Sequence, residues 1–331
     1  MFPLKQTLHQ KYYILPLHNN TMIIYNKEVP ILFLIFNRPD TTSKVFETIK
    51  RAAPKRLYVA ADGPRYAEES LKCYQSREIA TAADWNCEVK TLFREENVGC
   101  KAAISEGISW FFENEPEGIV LEDDCLPSDS FFGFCSFLLE KYRNDDRIGH
   151  IGGANLQLGQ KRGDDTYYFS RQTHVWGWAG WRRVWKDYDV NMQDFPQFKS
   201  NRLIRFLPTH RHFSEYWLNS FEKTYRGTID TWDYQYAYLN LKNNRLSVIP
   251  NTNLISNIGF GSDSTHTNQV NHPFANLQPQ NITSITHPIF FLPNEEADFF
   301  TQQIEHPNPK PKGFLSLTWR KIKQKFKRKP H

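Results

Sequence analysis

The stretch Gly118–Asp124 constrains this chain most, because an apolar run passes directly into three consecutive carboxylates. Residues 119–121 form the kind of short apolar run found in a strand that is buried on both faces of a parallel sheet. Ligands of such sheets bind beyond the carboxyl ends of the strands. The pattern therefore predicts a buried strand that delivers Glu122, Asp123 and Asp124 to the rim of a cleft.

Three adjacent acids at a strand end repel one another, and this repulsion requires a counter-charge. Carboxylate oxygens are the ligands that Mg²⁺ or Mn²⁺ prefers, and such an ion can also bridge to a phosphate group. The triplet therefore indicates a divalent-metal site. A solvated acidic turn is the alternative interpretation.

Further apolar runs end in polar residues along the first third of the chain. Pro30–Phe36 is followed by Asn37-Arg38-Pro39-Asp40, and Leu57–Ala61 is followed by Asp62-Gly63-Pro64. Helical patterns alternate with these strands, so the sequence predicts an α/β fold with an open, mainly parallel sheet flanked by helices. The predicted strands are 30–36, 57–61, 88–93 and 118–122, and the predicted helices begin at 40 or 41 (capped by Asp40 or Thr41), at 66 (to 85), at 97–101, at 131 (to 142) and at 210 (to 243).

Several features narrow the class of protein. The first βα turn has no GxGxxG and the chain has no GxxxxGK[ST], so neither dinucleotide binding nor P-loop chemistry is indicated. The five cysteines are odd in number and show no CxxC spacing, which is typical of reduced thiols in a cytoplasmic protein. The sequence contains no apolar stretch of about 18 residues, so no transmembrane helix is predicted. Residues 1–28 lack the pattern of a secretory signal.

Charge is distributed unevenly along the chain. Residues 306–331 carry nine of the 41 lysine and arginine residues and no acid, so the remaining residues hold 32 bases and 36 acids. Nucleic-acid binding by this mildly acidic body is not expected. In the tail, Leu315, Trp319, Ile322 and Phe326 recur at helical spacing among cations, which predicts a basic amphipathic helix on an anionic membrane surface. A solvated, disordered tail is the alternative.

Two segments of the second half carry candidate ligand contacts. Residues 174–185 contain four tryptophans, which indicate either an aromatic core around a helix start or a wall for the apolar face of a sugar. Residues 251–267 are polar and contain Gly259 and Gly261, which suits a lid over a ligand or an ordinary surface turn. Residues 268–293 are rich in asparagine and proline and are predicted to be irregular.

In order, these segments resemble the nucleotide-diphospho-sugar transferases of GT-A fold, and among them bacterial glycosyltransferases related to N-acetylglucosaminyltransferase I. The segments that carry the resemblance are Pro30–Asp40, Ala61–Gly63, Asn97–Lys101, Val120–Asp124, Gly177–Trp185 and Trp232-Asp233. The resemblance implies a glycosyltransferase domain at 29–267, with a nucleotide-binding half (29–125) and an acceptor half (126–267). An N-terminal extension (1–28), an irregular segment (268–305) and the basic tail (306–331) complete the chain.

The resemblance also implies roles for individual residues. Asp124 would ligate Mn²⁺ or Mg²⁺, which would bridge the two phosphates of a UDP-sugar. The expected donor contacts are Asp123 near the ribose, Glu122 near the sugar hydroxyls, Asp62 at the uracil, Arg38 at the nucleotide and Lys101 at a phosphate. Asp233 resembles the catalytic base, with a helix-capping carboxylate as the alternative. The expected acceptor or lid residues are His174, Trp176, Trp178, Trp232, Gly261, Thr265 and His266.

The sequence therefore predicts an inverting, metal-dependent glycosyltransferase. It would transfer a sugar from a UDP-sugar to a hydroxyl of a glycan or lipid-linked acceptor in surface polysaccharide synthesis, in the cytoplasm and peripherally at the inner face of the membrane. A sugar nucleotidyltransferase is one alternative, although that class needs a glycine-rich loop that the run after Phe36 lacks. A non-catalytic carbohydrate-binding or membrane-associated protein of the same fold is the other.

Overall fold

The computed structural model describes residues 23–206, 211–260 and 272–305. The strands are β1 (Ile31–Ile35), β2 (Arg56–Ala61), β3 (Glu88–Phe93), β4 (Glu117–Glu122), β5 (Cys125–Pro127), β6 (Ile148–Gly152), β7 (Tyr167–Ser170), β8 (Trp178–Trp181), β9 (Leu246–Pro250) and β10 (Ile255–Asn257). The helices are α1 (Pro39–Ala52), α2 (Ser70–Thr81), α3 (Cys100–Asn114), α4 (Asp129–Lys141), α5 (Arg182–Trp185), α6 (Phe195–Ser200), α7 (Arg211–Tyr225), α8 (Asp233–Lys242) and α9 (Glu295–Glu305).

Eight strands form one sheet in the order β3-β2-β1-β4-β8-β6-β9-β7. The first four are parallel neighbours, β8 is antiparallel to both β4 and β6, β9 is parallel to β6, and β7 is antiparallel to β9. Six strands therefore run in one direction, and β7 and β8 run in the other. This Rossmann-like arrangement, flanked by helices, confirms the predicted α/β fold with a mainly parallel sheet.

The centre of the sheet is buried because its strands are apolar on both faces. All five residues of β1 and the first five of β4 are buried. Each fully buried Leu, Ile or Phe contributes about 1.5–3 kcal/mol through removal of apolar surface from water. A Cβ at Gly118 would lie 2.3 Å from the Phe111 ring, so the glycine allows α3 to pack closely on β4.

The structure corrects the predicted ends of two helices in the first third of the chain. α1 begins at Pro39 without a side-chain cap, so neither Asp40 nor Thr41 caps it; proline is favoured at the first helical position, where its missing N–H costs nothing. The helix predicted at 66–85 is a 3₁₀ turn followed by α2, which ends at Thr81.

The predicted helix at 210–243 and the predicted irregular segment at 268–305 also differ from the structure. The first is two helices, α7 and α8, so that Asp233 begins a helix rather than lying inside one. The second ends in α9, which packs on β7 through buried Asp298, whose carboxylate accepts hydrogen bonds from Ser170 and from Arg171 N. Asn294 caps α9, and its Oδ1 accepts a hydrogen bond from Ala297 N at 2.9 Å. An asparagine at this position is a capping signal, and it could have predicted the start of the helix from the sequence.

Three of the four clustered tryptophans belong to the core. Trp178 and Trp181 lie on β8 and Trp185 on α5, and all three are buried. The Trp178 ring lies 5.0 Å from the ring of Tyr236 and 5.5 Å from that of His150. The aromatic-core interpretation is therefore correct for these residues, and Trp178 cannot serve as a wall for a ligand because it is 1% exposed.

Within the described ranges, no helix combines the length and the apolar character needed to cross a membrane. All five cysteines are free thiols, as the sequence predicts.

Buried His150 on β6 makes fold stability depend on pH. Burial lowers the pKa of His150 to about 3, while Nε2 contacts the carbonyl oxygen of His174 at 2.9 Å. The unfolded chain therefore takes up a proton near pH 6.5 that the folded chain refuses, and stability is lost as pH falls below 6.5.

We expect His150→Phe to remove this dependence. Between pH 6.5 and pH 5 the wild type should lose about 2 kcal/mol of unfolding free energy through this one group, and the variant should lose correspondingly less. Urea denaturation at several pH values measures the difference. The same pH slope in both proteins would contradict the assignment of a neutral, buried imidazole.

Candidate active site

A cleft of about 720 Å³ opens at the carboxyl ends of β1, β2 and β4. Parallel neighbouring strands bring their carboxyl ends to one edge of the sheet, so polar residues that follow different strands meet there. Phe36, Asp62 and the triplet at 122–124 line this side of the cleft. Residues of α7, α8 and α9, which include Asp233 and Glu305, also line the cleft.

The acidic triplet is held by groups from the turn after β1. Asp124 Oδ2 forms an ion pair with Arg38 Nη1 at 2.9 Å, and both side chains are about one-fifth exposed, at 19% and 20%. Asp123 Oδ2 accepts a hydrogen bond from Phe36 N at 3.0 Å. Gly259 packs against Asp124 from the other side, where an added Cβ would lie 2.1 Å from Oδ2.

The electrostatics of the triplet indicate a shortage of positive charge. Desolvation, followed by the charges of Asp124 and Asp123, raises the pKa of Glu122 well above its usual value. Desolvation and the charge of Asp124 raise the pKa of Asp123 to about 7. The Arg38 guanidinium opposes both shifts without cancelling them.

These residues fit a divalent cation that a substrate would help to hold. In the described part of the chain, no three His, Cys, Asp or Glu side chains are grouped so that they could hold a metal ion by themselves. Mg²⁺-type sites commonly use one or two carboxylates and complete their coordination with substrate phosphates and water. The oxygen donors of Asp124 and its neighbours have the right chemistry, and the raised pKa of Glu122 shows the deficit that a cation would offset.

Asp62 organises the wall between β2 and α3. Its carboxylate accepts hydrogen bonds from the backbone N–H groups of Gly63, Val98 and Gly99 at 2.9, 3.0 and 3.1 Å. Gly99 has φ +87°, a backbone conformation that side chains disfavour, just before α3 begins. The expected contact of Asp62 with uracil stays a prediction. Lys101, in the first turn of α3, is not among the residues that line the cleft.

Asp233 is the first residue of α8 and faces the cleft. The Thr231 hydroxyl donates a hydrogen bond to its carboxylate, and Asp233 contributes to the raised pKa of Glu122. The N-cap of α8 is Trp232, so Asp233 is not the capping residue itself but an acid of the first turn, where the helix dipole favours negative charge. A structural role at the helix start and a role toward a ligand in the cleft are both compatible with this position.

The predicted acceptor and lid residues divide into three groups. His174, Trp176 and Trp232 line the cleft; burial lowers the pKa of His174 to about 4, so its imidazole is neutral at pH 7. Trp178 lies in the core behind them, as described above. Gly261, Thr265 and His266 lie outside the described residues.

Three charged residues of the cleft, Arg65, Asp230 and Glu305, were not identified from the sequence. Arg65 lines the cleft and directly follows Asp62-Gly63-Pro64. A basic residue this close to a strand end could have been identified from the sequence as a candidate. Glu305 is the last residue of α9, and desolvation together with the charge of Asp233 raises its pKa to about 7. No local pattern marks Glu305, because its place depends on α9 packing back against the sheet.

Comparison with known proteins gives little beyond this. No protein-family model and no curated protein matches the chain. Among solved structures, HddC from Yersinia pseudotuberculosis, also solved in complex with GMP-PN, is 12% identical, with a TM-score of 0.32 over 48% of this chain and 80% of HddC. UDP-glucose pyrophosphorylase in complex with UDP-glucose is 12% identical (TM-score 0.26; 44% and 64% covered), and an apo form is 9% identical (TM-score 0.36; 69% and 93% covered). Similarities with TM-scores this low carry no argument about activity.

We expect Arg38→Met to make the stability of the protein depend on divalent cations. Removing the guanidinium leaves Asp124 beside two other acids, which should cost about 2 kcal/mol because the pair is largely shielded from solvent. MnCl₂ should then raise the melting temperature of the variant more than that of the wild type, because a ligand of the folded state stabilises it by mass action.

Arg51→Met is the matched control for this experiment. Arg51 pairs with Asp129 on the surface, where the two side chains are 56% and 63% exposed. An exposed pair contributes about 0–1 kcal/mol, so this variant should show neither the loss nor the response to Mn²⁺. Equal Mn²⁺ shifts in the wild type and Arg38→Met would argue against a cation site at Asp124.

Proposed function

We propose that this protein is an inverting, metal-dependent glycosyltransferase that uses a nucleotide sugar, with a UDP-sugar as the expected donor. The observation that supports this most is the arrangement of the cleft. The triplet at 122–124 and Asp233 line the same cleft, and the charge of Asp233 contributes to the raised pKa of Glu122. With the diphosphate of a donor at the triplet, its sugar would lie near Asp233, whose carboxylate could reach an acceptor hydroxyl.

The residues suit a single displacement. A Mn²⁺ or Mg²⁺ ion held by Asp124 would supply Lewis-acid stabilisation for the departing nucleoside diphosphate. Asp233 takes the proton from the acceptor hydroxyl while that oxygen bonds to the anomeric carbon and the bond from this carbon to the diphosphate oxygen breaks. Attack from the face opposite the leaving group inverts the anomeric configuration.

Glu122 lines the cleft next to Asp123 and Asp124, and its carboxyl oxygens can accept hydrogen bonds from hydroxyls of the donor sugar. Arg38, beside Asp124, supplies positive charge where the diphosphate would lie. The acceptor we propose is a hydroxyl of a glycan or lipid-linked saccharide of surface polysaccharide synthesis.

The second candidate is a sugar nucleotidyltransferase, the kind of enzyme that the UDP-glucose pyrophosphorylase structures named above represent. Such a reaction needs groups that hold a triphosphate. The turn between β1 and α1 is only residues 36–38 and contains no glycine, and its one cation is paired with Asp124. The two reactions release different products, a nucleoside diphosphate or pyrophosphate, so one assay separates them.

We expect Asp124→Asn and Asp233→Asn to affect different steps. Calorimetric titration of UDP with Mn²⁺ should show strong binding to the wild type and to Asp233→Asn, and loss of the Mn²⁺-dependent part in Asp124→Asn. Release of UDP from a panel of UDP-sugars should fall by about 100-fold or more in Asp233→Asn, since a positioned general base contributes that much.

Asp164→Asn is the control for these variants, because Asp164 is exposed and is not among the residues that line the cleft. It should bind UDP and release it from donors as the wild type does. Equal UDP release by wild type and Asp233→Asn would favour a non-catalytic binding protein, and release of pyrophosphate from UTP and a sugar phosphate would favour the nucleotidyltransferase.

We also propose that the basic tail binds an anionic membrane surface. Residues 306–331 lie outside the described residues, and the support is their composition: nine cations without an acid. Each Lys or Arg near such a surface contributes about 1 kcal/mol. Deletion of residues 314–331 should therefore reduce sedimentation with vesicles that contain phosphatidylglycerol and leave the weak sedimentation with neutral vesicles unchanged. Equal sedimentation of both proteins with anionic vesicles would contradict the proposal.

A further inference from the structure

The carboxylate that the sequence assigned to the nucleobase has most of its hydrogen-bonding capacity occupied. Asp62 accepts from three backbone N–H groups, and these use both of its oxygens. A carboxylate has about four acceptor positions, so roughly one remains for a ligand. Asp62 therefore acts mainly to hold residues 97–99 against the end of β2. A base bound at this end of the cleft could use the one position left on Asp62, and a second group would be needed to contact its acceptor atoms.

Arg65, three residues further on, is fixed in the way a recognition residue must be. Its Nε donates to both oxygens of Glu69, at 3.0 and 3.1 Å, and its Nη2 also donates to Glu69. Glu69 is itself buried and accepts from Asn37 Nδ2 at 2.8 Å and from the backbone N of Arg65 at 3.0 Å. These contacts use one edge of the planar guanidinium. Among the described residues no hydrogen-bond partner occupies Nη1, and the side chain is 49% exposed, so Nη1 is available to a ligand.

The guanidinium also lies over an aromatic ring at the floor of the cleft. Its Cζ is 5.5 Å from the ring centre of Phe36 and 5.7 Å from that of Tyr66. Stacking on aromatic faces and a rigid fork of donors are the two properties that distinguish arginine from lysine in recognition. The guanidinium of Arg65 is thus fixed by hydrogen bonds to Glu69 in the plane of the group and by a cation–π contact with the Phe36 ring.

Acids outnumber cations in the cleft, so an anionic ligand would depend on the few positive groups that line it. Seven acids line the cleft in the described ranges: Asp62, Glu122, Asp123, Asp124, Asp230, Asp233 and Glu305. Two guanidinium groups line it there, Arg38 and Arg65. Arg38 forms an ion pair with Asp124, which lines the cleft. Arg65 pairs instead with Glu69, which is not among the residues that line the cleft.

The topology separates Arg65 from the acidic triplet by the width of one strand. Arg65 follows β2, the triplet ends β4, and β1 lies between them. Strands in a sheet are about 4.8 Å apart, so the two strand ends lie about 10 Å apart, which suits a nucleotide with its diphosphate at β4 and its base at β2.

We propose that Arg65 binds the nucleobase of the donor, with Nη1 donating a hydrogen bond to a carbonyl oxygen of the base; this rests on the proposed function. Arginine only donates, so the base must present an acceptor. Uracil, cytosine and guanine carry such a carbonyl oxygen, whereas the exocyclic group of adenine is a donating amine and its acceptors are ring nitrogens. The proposed contact therefore favours an oxo-bearing base such as uracil or guanine over adenine.

The test uses the full chain with Mn²⁺ and compares UDP, GDP and ADP by calorimetry. The variant is Arg65→Gln combined with Glu69→Gln, because the paired change leaves no unpartnered buried charge. The dissociation constants for UDP and GDP should rise about tenfold or more, as expected for loss of a hydrogen bond from a charged donor. The dissociation constant for ADP should not change. Arg51→Gln, at the exposed pair with Asp129, should alter none of the three.

Arg65→Lys provides a second variant that keeps the charge and an ion pair with Glu69 but loses the fork. It should fold as the wild type does and lose affinity for UDP selectively over ADP. Equal losses for UDP and ADP would place Arg65 on the phosphates and overturn the base assignment, as would unchanged UDP affinity in both variants. A wild type that binds none of the nucleotides would remove the proposed function, and this inference with it.

Discussion

The crowding of carboxylates at the end of β4 is the constraint on which the cleft depends. The three acids reach the rim because the residues before them are apolar and buried at the centre of the sheet. Their charge is offset by Arg38 and by the backbone N–H of Phe36, both from the turn after β1. These groups are available only because β1 is the immediate neighbour of β4. Sheet order therefore decides which residues can balance the acids, and the balance is incomplete: the pKa of Asp123 is raised to about 7. A cleft left short of positive charge is prepared for a ligand that brings a cation with it.

The part of the cleft that contains Glu305 depends on α9, which lies beyond residues 29–267, the range of the family resemblance. The buried carboxylate of Asp298 holds α9 to the end of β7, and Gln157, in the segment after β6, donates from Nε2 to Thr301 Oγ1 at 2.8 Å. This docking carries Glu305 to the cleft, where its pKa responds to the charge of Asp233. The acceptor side of the cleft is consequently built from distant parts of the chain, and the packing of α9 contributes to the environment of the proposed base.

The sheet and the polar residues at the carboxyl ends of β1, β2 and β4 were predictable because both follow from local patterns. β3 occupies residues 88–93 as predicted, and the triplet lies at the end of a buried strand because an apolar run followed by acids has few other solutions. The acceptor side was not predictable in the same way. Four clustered tryptophans fit a core as well as a sugar wall, and only the pairing of β8 with β4 and β6 decides that Trp178 is enclosed. Glu305 enters the cleft through tertiary packing, which no spacing in its own segment records.

Asp62 and Arg65 show why a correctly located residue can still carry a different role. An acid after a strand end is visible in the sequence, but the groups that occupy its oxygens are not. Here the loop before α3 folds back, and its N–H groups take up most of the carboxylate, which makes Asp62 a structural centre for the wall. In the proposed contact, the recognition of an oxo-bearing base falls to Arg65, and Glu69 supplies the rigidity that a long arginine side chain lacks by itself. Uracil and guanine both present the carbonyl oxygen that such a donor requires. The expectation of a uridine nucleotide in particular therefore continues to rest on the family resemblance.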